Sequence, residues 1–253
     1  MIVAKPLVYL VLGAAGSGRR EVLADLIEDG LGDAERAVVL LSDAEARDEA
    51  VETKLGPIES WHWNDAGAIE GELPDGATHV FFVTDGRQNP VEQIEAFKTW
   101  LDGRGAELAR VLCVVNCQLA EKNPPLLAWF EACIHFSDVA LLNRRDGVAN
   151  KWLSDFLAHF KGQFSPTLFE LVKAGRVKNP ALVLDPQARR MSHVFEAEPD
   201  WIFTKPDGEV IEEDEVTDDD DEEIEVTPEP DPYFARDAAN RRVKKIPDIV
   251  KYL

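Results

Sequence analysis

Several things are scarce in this sequence. It holds only three cysteines, Cys113, Cys117 and Cys133. That is too few for a disulfide framework and fits a reducing compartment. No run of about 18 consecutive apolar residues occurs, so no membrane-spanning helix is expected. No basic stretch precedes the first apolar run, so the N-terminus does not read as a signal peptide. A cytoplasmic location follows as the expectation. Basic residues are also short: 27 Lys and Arg face 48 Asp and Glu, for a formal net charge of −21. Residues 196–231 carry eighteen acidic side chains against the single base Lys205, whereas 232–253 carry a charge of +4 and 1–195 a charge of −8. A mildly acidic body lacks the basic face that sequence-independent nucleic-acid binding requires, so nucleic acid is not an expected partner.

What is present is an alternation of short apolar runs with helical periodicity. Residues 7–12, 37–41, 78–83, 111–115 and 139–142 are rich in Val, Leu and Phe and are predicted to be buried strands. Residues 20–28, 91–101, 125–133 and 151–160 space their apolar side chains as helices do. The pattern predicts an α/β fold, a mostly parallel sheet with helices on both faces and its ligand site at the carboxyl ends of the strands. Residues 164–175 are predicted to form a further helix, and 181–184 a short edge strand. Acidic density rises from residue 196, and too little apolar surface remains there to offset ordering entropy. The expected organisation is a domain over 1–195, a disordered acidic linker over 196–232, and a basic, partly apolar segment over 233–253 with a short helix near 234–244.

One segment carries chemistry in its spacing. Residues 13–20 read GAAGSGRR directly after the first predicted strand. The phosphate-binding pattern G-x-x-x-x-G-K-[ST] places a Gly-rich loop between a strand and a helix. Its amides cradle phosphates, its Lys reaches the outer phosphates and its hydroxyl holds Mg²⁺. Here Gly13 and Gly18 keep the glycine positions, Gly16 and Ser17 lie between them, and Arg19 and Arg20 replace the Lys and the hydroxyl. Amides at a helix N-terminus attract anions whatever the side chains. Arg20 supplies no hydroxyl for Mg²⁺, so loss of metal should damage hydrolysis more than binding. The alternative is a Gly-rich turn kept for packing.

Four segments in order resemble the nucleotide-binding domain of CobW-type P-loop GTPases: VYLVLGAAGSGRREVL (8–23), THVFFVTDGRQNPVEQI (78–94), RVLCVVNCQL (110–119) and SDVALLNRRDGV (137–148). The resemblance spans roughly residues 7–160. It implies a P-loop NTPase-like fold, GTP or GDP as ligand, and a guanine-reading role for Asn143, Arg144 and Asp146, with Arg144 replacing a Lys that packs on the base. The departures are Val83 for the family's Glu, Asp85 for its Ser and Asn116 for its Asp. The Cys-x-Cys-Cys metal motif is absent, and 59–65 read ESWHWND instead.

Other candidates are weaker. Asp85 holds a metal in an altered arrangement, caps the helix beginning near Pro90, or is simply solvated. Arg87 adds a phosphate partner on the same loop. Cys113 with Cys117, and Cys133 with His135, do not have zinc-site spacing, and no zinc site is expected. The acidic tail has four readings: diffuse cation binding, nucleic-acid mimicry, folding back on Arg189 and Arg190, or a solubilising spacer. With 236–253 it forms a candidate docking segment for a partner protein. The leading functional expectation is a degenerate CobW-like GTP-binding protein that binds guanine nucleotide weakly or not at all and acts through partners. An NTPase or phosphotransferase with a rearranged site and an interaction scaffold are the alternatives.

Overall fold

A computed structural model describes residues 5–196 and 230–253, with the backbone alone of three short strands in between. The described chain separates into two compact units: residues 1–191 with 245–253, and residues 192–244.

The first unit is built on β1 (Leu7–Leu12), β2 (Ala37–Ser42), β3 (Ile58–Trp63), β4 (Ile69–Glu70), β5 (His79–Val83), β6 (Glu107–Asn116), β7 (Val139–Asn143) and β8 (Leu168–Leu171). They form one eight-stranded sheet in the order β4-β3-β2-β5-β1-β6-β7-β8, parallel except for the β3–β4 pair. The helices are α1 (Arg19–Gly30), α2 (Glu49–Glu52), α3 (Pro90–Leu101), α4 (Cys117–Lys122), α5 (Leu127–His135), α6 (Asn150–Gly162) and α7 (Pro180–Leu184). The fold is therefore the α/β, P-loop-like arrangement expected, with the Gly-rich loop between a central strand and the first helix.

Strand periodicity sorts the core into two layers. Tyr9, Val11, Val39, Leu41, Phe81, Val83, Leu112, Val114, Val139 and Leu141 face one way and pack with Val22, Leu23 and Leu26 of α1 and with Val183 and Leu184 of α7. On the other face Phe82 packs on Phe97 and Trp100 of α3, and a chain of rings runs through Phe130, Phe156, Phe160 and Phe169. Buried on both sides, the central strands read as unbroken apolar runs.

Three expectations about the C-terminal half are corrected. Residues 164–175 are not a helix: Leu168–Leu171 forms the edge strand β8, and Phe164 and Ala174 flank it at φ 56° and 51°. Residues 181–184 are not an edge strand but part of α7, which starts at Pro180 with Asn179 as its cap. The side chain of Arg110, fully buried, donates to the carbonyls of Leu182, Val183 and Gln187 and so satisfies the end of that short helix. Residues 234–244 form turns and an isolated Arg236–Arg242 bridge instead of a helix. A 3-10 turn over Ile249–Tyr252 buries Ile249 in the first unit.

In the second unit, β9 (Trp201–Thr204), β10 (Val210–Ile211) and β11 (Glu225–Pro228) pair as an antiparallel sheet. The expected disorder over 196–232 falls largely on residues outside the described ones, including the whole run 218–223. Among the described residues no helix is long and apolar enough to cross a membrane.

Candidate functional site

The loop after β1 and the loops after β2, β5 and β7 meet at the carboxyl end of the sheet, where an open parallel sheet presents ligand sites. Gly13, Gly16 and Gly18 all have positive φ, 142°, 76° and 87°. At Gly18 a side chain is excluded twice: by φ and because an added Cβ would lie 2.4 Å from Asn143 Nδ2. Asn143 is buried and donates to the carbonyl of Ser17 at 2.9 Å. The two segments singled out in the sequence, 13–20 and 143–146, are thus in direct contact. Ser17 is fully buried and its hydroxyl has no partner. No side chain caps α1, which leaves its first amides at the cleft.

The two arginines do not point free into this cleft. Arg19 is buried, donates to the carbonyl of Thr84 and pairs with Glu45. Arg20 pairs with Glu45 and Glu52, each at 3.1 Å, and Arg47 closes the chain on Glu52 at 2.9 Å. Glu45 also accepts the amide of Gly86 at 3.0 Å. Burial pushes the Glu45 carboxyl up. The Arg19 charge, the Gly86 amide and the Arg20 charge outweigh it, so its pKa lies below the ordinary value. Gly86 itself lies against the loop: its carbonyl accepts the Ala15 amide at 2.9 Å, and an added Cβ would fall 2.3 Å from that nitrogen. Glu45 and Glu52 were not legible as site residues. They are two of five acids in 43–52, after the second strand, and nothing local sets them apart.

The positions read in the sequence as departures from the resemblance have structural occupations. Val83 is fully buried, and its carbonyl accepts the indole of Trp61 at 2.9 Å. Asn116 caps α4 through a bond from Leu119 N at 3.0 Å. Asp85 is buried and accepts the Arg87 amide at 2.9 Å, while Gln93 holds its backbone from both sides. The expected capping role is corrected: Asn89, not Asp85, caps α3. Among the described residues no group of three His, Cys, Asp or Glu side chains is placed to hold a metal. Arg20 carries a guanidinium where the phosphate-binding pattern has a metal-holding hydroxyl, and a guanidinium does not ligate a metal ion.

In the loop after β7, Arg144 at φ 51° turns toward the loop after β1 and pairs with Glu21 at 2.7 Å. Arg145 donates to the carbonyl of Val172. Asp146 is exposed, and its backbone carbonyl accepts Gln118. The cleft between these loops has a volume of about 510 Å³ and is lined by Arg19, Arg20, Arg47, Arg87 and Arg144 together with acidic side chains. That is within the roughly 300–1,000 Å³ common for small-molecule sites. The cysteines sit elsewhere, all buried. Cys113 and Cys133 are the two that meet, and burial with that contact raises the Cys133 thiol well above its usual range.

No known family profile matches the chain, and no curated protein is recognisably similar in sequence. Solved structures are similar in shape. Zinc-bound YjiA GTPase from E. coli is 15% identical, with 74% of this chain and 67% of that one covered at a TM-score of 0.42. The cell division protein FtsY from Thermotoga maritima is 13% identical, with 72% and 68% covered at 0.43. The signal recognition particle receptor FtsY from Elizabethkingia anophelis, in complex with GDP, is 17% identical, with 74% and 65% covered at 0.45.

Proposed function

We propose that this chain is a degenerate CobW-like P-loop protein that takes a guanine nucleotide weakly, without Mg²⁺-dependent hydrolysis, and acts through partner proteins. The observation that supports it best is the direct packing of 13–18 on Asn143 beside an arginine-lined cleft at the uncapped end of α1. Gly13, Gly16, Ser17, Gly18, Arg19 and Arg20 would hold the phosphates. Asn143 would position the base loop, and the exposed carboxylate of Asp146 would accept the guanine N–H groups. Arg144 would have to leave Glu21 to stack on the base. Bound GTP would supply a phosphoanhydride, and without the hydroxyl that holds Mg²⁺ its cleavage would lack the metal that spreads charge in that step.

Calorimetric titration with GTP, GDP and ATP, with and without Mg²⁺, tests this reading. The expected result is guanine-selective binding that changes less than about threefold when Mg²⁺ is removed, with phosphate release at background. A Mg²⁺-dependent release that vanishes in Arg19→Ala would instead establish a rearranged NTPase. No heat with any nucleotide would remove the nucleotide-binding reading.

Action through partners rests on the charge layout, with the acidic run 196–231 followed by a basic, partly apolar segment. In full-length protein, replacing the acids of 218–223 by Asn and Gln is expected to weaken partner capture and its salt sensitivity. An unchanged set of captured partners at every salt concentration would show that the tail recruits nothing.

A further inference from the structure

The arginines that follow the Gly-rich loop already hold an anion, and that anion belongs to the chain. In the phosphate-binding pattern the residue at position 19 reaches the outer phosphates. Here the side chain at that position ends on the Glu45 carboxylate. The same carboxylate takes the amide of Gly86, on the loop that closes against Ala15, and the guanidinium of Arg20 at 3.1 Å. Two guanidinium groups and a backbone N–H converging on two oxygens form a set suited to a phosphate oxygen edge. Glu45 is buried and belongs to the loop after β2. The donors lie in separate segments, so the carboxylate joins the start of α1 to the loops after β2 and β5. In the loop after β1, the fully buried Ser17 hydroxyl remains without a partner.

We propose that Glu45 is a built-in occupant of the phosphate site, and that a phosphate-bearing ligand enters only by displacing this carboxylate from Arg19 and Gly86. The proposal rests on reading the loop as a phosphate site and adds how that site is regulated. Displacement frees the 43–48 loop from the other two, so ligand entry and loop release are the same event. A partner that holds the 43–48 loop away would raise ligand affinity by linkage, and a ligand would raise affinity for such a partner equally.

The test uses the full chain, inorganic pyrophosphate and GTP as probes, and sodium chloride at matched ionic strength as the control. Glu45→Gln keeps the shape and removes the charge. It is expected to bind pyrophosphate at least tenfold more tightly than the unaltered chain. Its melting temperature should rise with pyrophosphate far more than with chloride. Glu49→Gln makes the same charge change in the same cleft, on an exposed side chain, and is expected to stay within twofold of the unaltered chain. Equal affinity in Glu45→Gln and the unaltered chain would overturn the proposal. So would equal tightening in both variants, which would mark a general field effect. If Glu45→Gln folds only with an anion present, recovery in pyrophosphate and not in chloride is the expected result, and recovery in neither overturns it. Tighter pyrophosphate binding with no GTP binding in any form would leave the Glu45 gate standing and remove the nucleotide reading. GTP binding that Glu45→Gln leaves unchanged would do the reverse.

Discussion

Replacing Asp138 with alanine is expected to cost about 3–5 kcal/mol of stability, the range for breaking one side of a buried ion pair. Asp138 immediately precedes β7 and is fully buried. One oxygen accepts Val111 N at 2.7 Å and Arg190 at 2.9 Å, and the other accepts Arg189 N at 2.6 Å. The carboxylate therefore ties β6, β7 and the segment after α7 together with bonds that water cannot replace. Alanine removes every acceptor at once and leaves the buried Arg190 guanidinium without this carboxylate. Asn keeps the volume and one acceptor and should cost less, about 2 kcal/mol. For a chain of this length, 1 kcal/mol corresponds to about 2–4 °C, so Asp138→Ala should melt on the order of 10 °C lower. Urea unfolding checks this, and a loss under about 1 kcal/mol would show that the ion pair is not holding that segment.

The importance of Asp138 was not visible in the sequence, although the strand beginning beside it was. Leu7–Leu12, His79–Val83 and Val139–Asn143 lie centrally, are covered on both faces and must be apolar at nearly every position. The sheet margins were harder. β3 reads IESWHW, with polar side chains at its exposed positions, and β8 reads LFEL within a stretch whose spacing also suits a helix. α7 reads PALVL, an apolar run that local pattern alone does not distinguish from a strand. Its helical state is fixed by Asn179 at one end and by Arg110, more than 70 residues away, at the other.

The site divides in the same way. Glycine spacing marked the loop after β1 because φ and close approach are demands that one residue type meets. The partners of Arg19 and Arg20 were hidden because Glu45 and Glu52 lie 26 and 32 residues further along. In a chain with 48 acidic residues, nothing local marks those two. The positions at 83 and 116 stood out in the sequence only against the family resemblance. Only the fold shows what occupies them, a core residue whose carbonyl accepts a tryptophan and a helix cap.

Arg19→Ala is expected to destabilise the chain by about 3 kcal/mol, at the lower end for a buried pair, because Arg20 still reaches Glu45. The mechanism is specific: Glu45 stays buried and charged with one guanidinium where it had two. The double variant Arg19→Ala, Glu45→Gln removes the stranded charge together with its partner. It should be more stable than the sum of the single changes implies, with a coupling of about 2 kcal/mol. Urea unfolding of the four proteins gives that number directly. A stability role and a phosphate role predict opposite patterns here. If Arg19 serves chiefly to contact phosphate, Arg19→Ala would leave the ligand-free chain within about 0.5 kcal/mol of the original, and the cycle would show no coupling. If Arg19 holds Glu45, most of the loss appears without any ligand and Glu45→Gln relieves it. The contact between Arg19 and Glu45, within a buried network that also takes Gly86 and Arg20, makes the second pattern the expected one.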